Sequence, residues 1–282
     1  MTLSGVEAVA AVALLQGALV ALPRGDALGS LRRLRSPAWA MVLPGAIVVG
    51  TLAPLGVHGV ALGLIVMGTL ATPPLAAVAV VAVARGPRTA LIALAIAAGL
   101  LAMLPGGLGG DISTTILTAF GALALGSALA RLIPGTWLLV GLACMCAADA
   151  TLLQAGLGGP AAAAIANAAG QFHGPLFDQA HIGGIVVDYP DLVLAALLGS
   201  FVAGQRQQWH AAALVTVLAA ASMVFTPVNT MFPATIPAAV TLIALRALSL
   251  LRRPAVAALR SQSGLRSQSA LTSQSAVSEA TA

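Results

Sequence analysis

"SPAWAMVLPGAIVVGTLAPLGVHGVALGLIVMGTLATPPLAAVAVVAVA", residues 36–84, contains no Asp, Glu, Lys or Arg, and its one histidine is His58. A helix needs roughly 20 apolar residues to cross the hydrocarbon core of a bilayer. The stretch is too long for one crossing and fits two, broken near Pro54-Leu55-Gly56-Val57-His58. Pro73-Pro74 predicts a kink in the second, because proline removes a helical donor and crowds the preceding turn.

The composition points the same way. Of 282 residues, 59% are hydrophobic and 7% charged, more apolar than a soluble core requires and suited to a polytopic membrane protein. The net charge of +5 comes from arginine alone, since the chain has no lysine. These arginines are scattered between apolar runs rather than gathered on one basic face, which argues against a nucleic-acid partner. Cys144 and Cys146, two apart on a helix, point to nearly opposite sides and read as small packing residues rather than a disulfide or metal pair.

Nine spans can be counted. Gly5–Leu22 is the first; no positive charge precedes it and arginines follow, the reverse of a cleaved signal peptide. Ser36–Ala84 supplies the second and third, Thr89–Leu104 the fourth, Ser113–Leu132 the fifth and Thr136–Leu157 the sixth. A Gly/Ala-rich connector covers Gly158–Gly184, and Val187–Gly204 is the seventh span. Gln207–Leu245 fits two more, turning at Thr226-Pro227-Val228-Asn229-Thr230. The expected architecture is an all-α polytopic membrane protein, with a nine-helix domain over 1–253 and a disordered tail over 254–282. That tail repeats "LRSQSG", "LRSQSA" and "LTSQSA" between Leu259 and Ala276. It is polar and of low complexity.

Arginine distribution sets the orientation, because cytoplasmic loops are enriched in it. Arg24, Arg32, Arg33 and Arg35 follow span one, Arg85 and Arg88 span three, Arg131 span five and Arg206 span seven. The remaining arginines, Arg246 to Arg266, lie at or after the end of span nine. All therefore fall on one side of the nine-span arrangement. The expectation is an integral protein of a bacterial-type plasma membrane, with its N-terminus outside and its C-terminus in the cytoplasm.

Against this background the acids are few. Asp26 sits among loop arginines, Asp111 can cap span five, and Asp178 lies in the connector. Asp149, in "CAADATLLQ", stands inside span six, where an ionisable group implies function and a partner. The partner is Asp191 in "DYPDLVLAALLG", residues 188–199, at the start of span seven. Span six runs outward and span seven inward, so both acids come within roughly 6–12 Å of the outer boundary at 1.5 Å per residue. Antiparallel neighbours can bring the two carboxyls face to face, where they share a proton and can hold a water between base and acid.

These residues resemble the GxGD intramembrane aspartyl proteases, the presenilin and signal peptide peptidase family. The resemblance implies nine spans, a catalytic Asp on span six (Asp149), a second on span seven (Asp191) and a Pro-Ala-Leu motif opening span nine. Here Pro233-Ala234-Thr235, in "FPATIPAA", takes the place of the last. The chain departs from the family at both motif glycines, which are Asp188 and Pro190, and at the tyrosine before the span-six aspartate, which is Ala148. Its only tyrosine, Tyr189, is inside the span-seven motif. Orientation aligns it with the signal peptide peptidase branch. The resemblance thus implies transmembrane peptide substrates with a cytoplasmic N-terminus, such as signal peptides or type II anchors. Hydrolysis by a carboxyl pair and water needs no cofactor or metal.

Asp188-Tyr189-Pro190-Asp191 itself reads as a helix start, with Asp188 as N-cap and Pro190 in the first turn. The helix dipole then favours a charged Asp191 as base, and Asp149, among apolar residues, is expected to be the acid. The β-branched run Ile185-Val186-Val187 can form a brief strand that captures an unwound substrate by β-augmentation, or an irregular lead-in to span seven. Two alternatives use the same aspartates: a proton-coupled transporter with an Asp149/Asp191 relay, and an inactive protease relative. His173, Asp178 and His181 lie close together but match no metal-ligand spacing and read as solvated loop residues.

Overall fold

The computed structural model describes residues 5–57, 59–103, 108–172, 174–177, 179–182, 185–205, 207–225 and 237–244. Helices occupy most of them: α1 Gly5–Ala21, α2 Val42–Gly56, α3 Val60–Val78, α4 Arg88–Ala102, α5 Leu108–Leu132, α6 Gly135–Gln154, α7 Gly158–Gln171, α8 Tyr189–Val202 and α9 Gln208–Phe225. A further helix, α10, covers 237–244. Among the described residues, four helical segments are long and apolar enough to cross a membrane: Pro37–Gly56, Val60–Val83, Gly109–Leu132 and Gly135–Gln154. The chain is thus a predominantly α-helical protein whose helices are compatible with an integral membrane protein. α1, α4, α8 and α9 are apolar but shorter.

Three differences from the sequence expectation stand out. The connector between α6 and α8 is not without structure: it contains α7, whose small alanines pack on α2 and α3. Ile165, Ala168 and Phe172 meet Ala61 and Ile65 there. The connector then forms an antiparallel hairpin, β1 Gln179–Ile182 with β2 Ile185–Asp188, so the fold is not purely helical. Helix α5 also starts several residues before Ser113, so Asp111 lies within its first turn instead of capping it.

α5 is the central helix. Its apolar span is 72% buried inside the protein, whereas Pro37–Gly56 is only 11% buried and presents its apolar surface outward. α3, α4 and α8 pack directly on α5. Small residues permit the close approaches. A Cβ on Gly126 of α5 would come within 2.6 Å of Leu197 N and Val193 O of α8. One turn along this seam, the Ser127 and Ser200 hydroxyls hydrogen-bond at 2.6 Å. Gly199 does the same for α8 against α1, where a Cβ would lie 2.6 Å from Val20 Cα. Such seams of small residues with a polar contact suit helices that cannot rely on water to drive them together.

The helix ends alternate in direction. Arg24 N donates to Val83 O and Arg85 N to Leu22 O, so the C-terminal ends of α1 and α3 clasp one another. Arg131, near the end of α5, donates through Nε to Ala27 O and through Nη2 to Gly25 O. Gln208, 1% exposed at the start of α9, donates to the carbonyls of Val20, Ala21 and Pro23, which the end of α1 leaves without helical partners. Gly25 packs on Ala203 and Gly204, after α8. Arg24, Arg85 and Arg131 therefore gather at one end of the bundle. α3 continues through Pro73 and Pro74 and widens into a π turn over Ala79–Val83. The low-complexity tail from 254 lies outside the described residues.

Candidate active site

The hairpin lies at the end of the bundle away from the arginines, against the N-terminal half of α5. Its register pairs Gln179 with Asp188, Ala180 with Val187, His181 with Val186 and Ile182 with Ile185. Ala180 and Val187 form the buried face, and Val186 is exposed on the other. Thr115 Oγ1 donates to His181 O at 3.3 Å and Thr118 Oγ1 to Phe177 O at 3.5 Å, fixing the hairpin and its approach to the central helix.

β2 passes into α8 without an intervening loop. Asp188 takes the N-cap position with extended backbone (φ −72°, ψ 148°), and Pro190 lies in the first turn, as the local sequence predicts. The Asp188 side chain is exposed and makes no capping hydrogen bond to that turn. The helix start therefore owes more to proline and to the strand's extended backbone than to a carboxylate cap. Tyr189, Pro190 and Asp191 are partly buried. The Tyr189 Oη lies beside Thr72 and over Gly121, where a Cβ would come within 3.2 Å of it. It is enclosed and has no hydrogen-bond partner in the described structure.

Asp149 lies on the C-terminal half of α6, partly buried. α6 packs on α2 and on the Pro37–Met41 turn. A Cβ on Gly141 would lie 2.7 Å from Ala40 O, which holds that contact close. The expected antiparallel seam between span six and span seven is absent among the described residues: α6 shares no packed face with α8, which is held by α5 and α1. Even so, the carboxylates of both Asp188 and Asp149 act electrostatically on the carboxyl of Asp191. The helix dipole is thus not the only field on Asp191.

The remaining sequence candidates are only partly placed. Pro233, Ala234 and Thr235 lie outside the described residues, as do His58, His173 and Asp178. His181 is on β1. Among the described residues, no three His, Cys, Asp or Glu side chains come together in a group that could hold a metal ion. Cys144 and Cys146 lie on α6 and are not joined in a disulfide. Strand β1 was missed from sequence. Its signal, Gln179-Ala180-His181-Ile182 followed by Gly183-Gly184, is a short alternating run before a glycine pair, and it becomes readable only with Ile185-Val186-Val187 as partner. Comparison with protein-family models, curated proteins and solved structures found no match.

Proposed function

We propose that the chain is an intramembrane aspartyl protease of presenilin and signal peptide peptidase type, hydrolysing membrane-spanning segments with Asp149, Asp191 and water. What supports this reading is the placement of Asp191 in the first turn of α8, directly after the hairpin, with Asp188 and Asp149 near enough for their charges to bear on its carboxyl.

The reaction follows from one shared proton. The ionised carboxylate takes a proton from water as the hydroxyl oxygen bonds to the scissile carbonyl carbon. The neutral carboxyl gives its proton to the carbonyl oxygen, forming a diol. Collapse of the diol breaks the C–N bond, the amide nitrogen takes a proton from the acid formed in the first step, and the other carboxyl recovers its own.

β2 gives the substrate a route to the dyad. Its residues run straight into the helix bearing Asp191, so a substrate segment unwound and paired to this strand would be led towards the carboxyls. The nine-span arrangement belongs to the same proposal, with α1 to α6, α8, α9 and α10 as spans. α8, at 14 residues, reaches roughly 21 Å at 1.5 Å per residue. Ten of its residues are buried, so protein rather than lipid surrounds most of it. The arginine end faces the cytoplasm in this reading, and substrates enter with a cytoplasmic N-terminus.

Cleavage of a purified type II substrate in H2(18)O tests the chemistry. Direct attack by water should place one (18)O in the new C-terminal carboxyl, and a hydroxyethylene peptide isostere should inhibit. Inhibition by a serine- or metal-directed reagent instead, with no effect of the isostere, would contradict the reading.

A further inference from the structure

The arginines at the gathered end of the bundle divide into two groups. Arg24 and Arg131 are turned inward onto main-chain carbonyls. Arg24 Nη2 donates to Ala82 O at 3.1 Å, and Arg131 Nη2 donates to Gly25 O at 2.7 Å. Arg32, Arg33 and Arg35 are exposed. They sit on the 3-10 turn Gly29–Leu34 and the residue after it, ahead of the second turn, Pro37–Met41. No acidic residue occurs between Asp26 and Asp111, so Arg32, Arg33 and Arg35 outnumber the one nearby acid, Asp26, which with Arg32 lies close enough to Arg131 for its charge to bear on it.

The segment is held in place rather than loosely attached. Arg131 bonds to the carbonyls of Gly25 and Ala27, immediately before Leu28, which sits in the left-handed region at φ 52°. A leucine there is strained and persists only where its neighbours fix the chain. On the other side, Ser36 N donates to Leu132 O at 3.0 Å, and Ser36 Oγ caps the second turn by accepting from Ala38 N. The Trp39 indole folds back, Nε1 donating to Leu34 O at 3.1 Å. Apolar side chains flank the arginines outward: Leu34 is 62% exposed, Met41 67% and Trp39 38%.

Exposed arginines beside an exposed tryptophan and aliphatic residues, at the foot of apolar helices, match the layered chemistry of a bilayer interface. Guanidinium groups meet phosphates, the indole sits at headgroup depth, and Leu and Met enter the acyl boundary. We propose that Gly29–Met41 is a docking platform for anionic phospholipid, with Arg32, Arg33 and Arg35 on the headgroup and Leu34, Trp39 and Met41 against the chains. The proposal rests on the membrane reading of the helices and is independent of whether the acidic pair hydrolyses peptides.

The test is thermal unfolding of the full-length protein in neutral detergent with added short-chain phosphatidylglycerol, phosphatidylcholine or inorganic phosphate. Phosphatidylglycerol should raise the midpoint, and the other two should not. The triple substitution R32Q/R33Q/R35Q should raise the concentration needed for half the effect by on the order of 100-fold, taking about fivefold for each arginine near an anionic surface. The lysine triple R32K/R33K/R35K should keep most of the response, as should R246Q/R252Q/R253Q/R260Q/R266Q in the remaining C-terminal arginines. An unchanged response in the glutamine triple would overturn the proposal. So would loss of the response only in the C-terminal variant, or an equal response to phosphate alone. Should the glutamine triple fail to fold by circular dichroism, R33Q alone carries the test, with a shift of about fivefold expected and no shift contradicting it.

Discussion

Gly126 shows how tightly single residues constrain this bundle. A methyl group there would press on the backbone of α8 at 2.6 Å, with no flexible side chain to yield. Gly126→Ala should therefore destabilise the protein by about 2 kcal/mol, as overpacking does, read as a lowered unfolding midpoint in detergent. Gln208→Ala should cost about 2 kcal/mol, because three carbonyls at the end of α1 lose their donor. Gln208→Glu, which keeps the shape but removes the donors, should be no better. An unchanged midpoint in either variant would show that water replaces the amide. At this scale Asp149 and Asp191 stand out in the sequence because an acid in an apolar run is conspicuous by its cost, and their pairing is a proposal. The sequence was uninformative about Gly126, Gly199 and Gln208, whose roles depend on which helix lies opposite. The Asp188 cap was half legible: its backbone takes the expected conformation, and its side chain does not bond as a cap should.

Among elements, the hairpin is the most consequential. β-branched residues after two glycines marked β2, and the structure supplies its partner β1 and the buried pair Ala180–Val187. Val186 is exposed and faces away from that pair, so its replacement disturbs the strand's backbone more than any core contact. Val186→Pro should lower the cleavage rate at least tenfold while shifting the unfolding midpoint by no more than a few degrees, and a rate equal to the parent's would remove substrate pairing from the account. α7 escaped the sequence reading because its Ala- and Gly-rich chain, interrupted by Pro160 and Asn167, looks the same as a small-residue linker until α2 and α3 are there to receive it. The seam between spans six and seven failed for a related reason. Adjacent order in the chain suggested adjacency in space, but α7 and the hairpin lie between them and let α8 settle on α5 and α1.

For the whole molecule, arginine spacing was the most readable signal. The clasp of Pro23 with Ala84 and the bonds from Arg131 gather the loops after α1, α3 and α5 at one end, while Arg206 and the arginines from Arg246 lie outside the described residues. Which side of a membrane that end faces is a prediction. A green fluorescent protein fused after Ala282 should fluoresce in bacterial cells, while alkaline phosphatase fused there should be inactive; the opposite pattern would reverse the orientation and the substrate class with it. Span number was less legible: among the described residues four helical segments are long and apolar enough to cross, and α1, α4, α8 and α9 are apolar but shorter. The central claim is that Asp149 and Asp191 form one hydrolytic pair. Its most direct measurement is cleavage of a tagged type II substrate by the purified protein beside Asp149→Asn and Asp191→Asn, each checked for an unchanged unfolding profile. The account predicts cleavage by the parent and a loss of at least a thousandfold in each variant. Cleavage retained by either folded variant would contradict it.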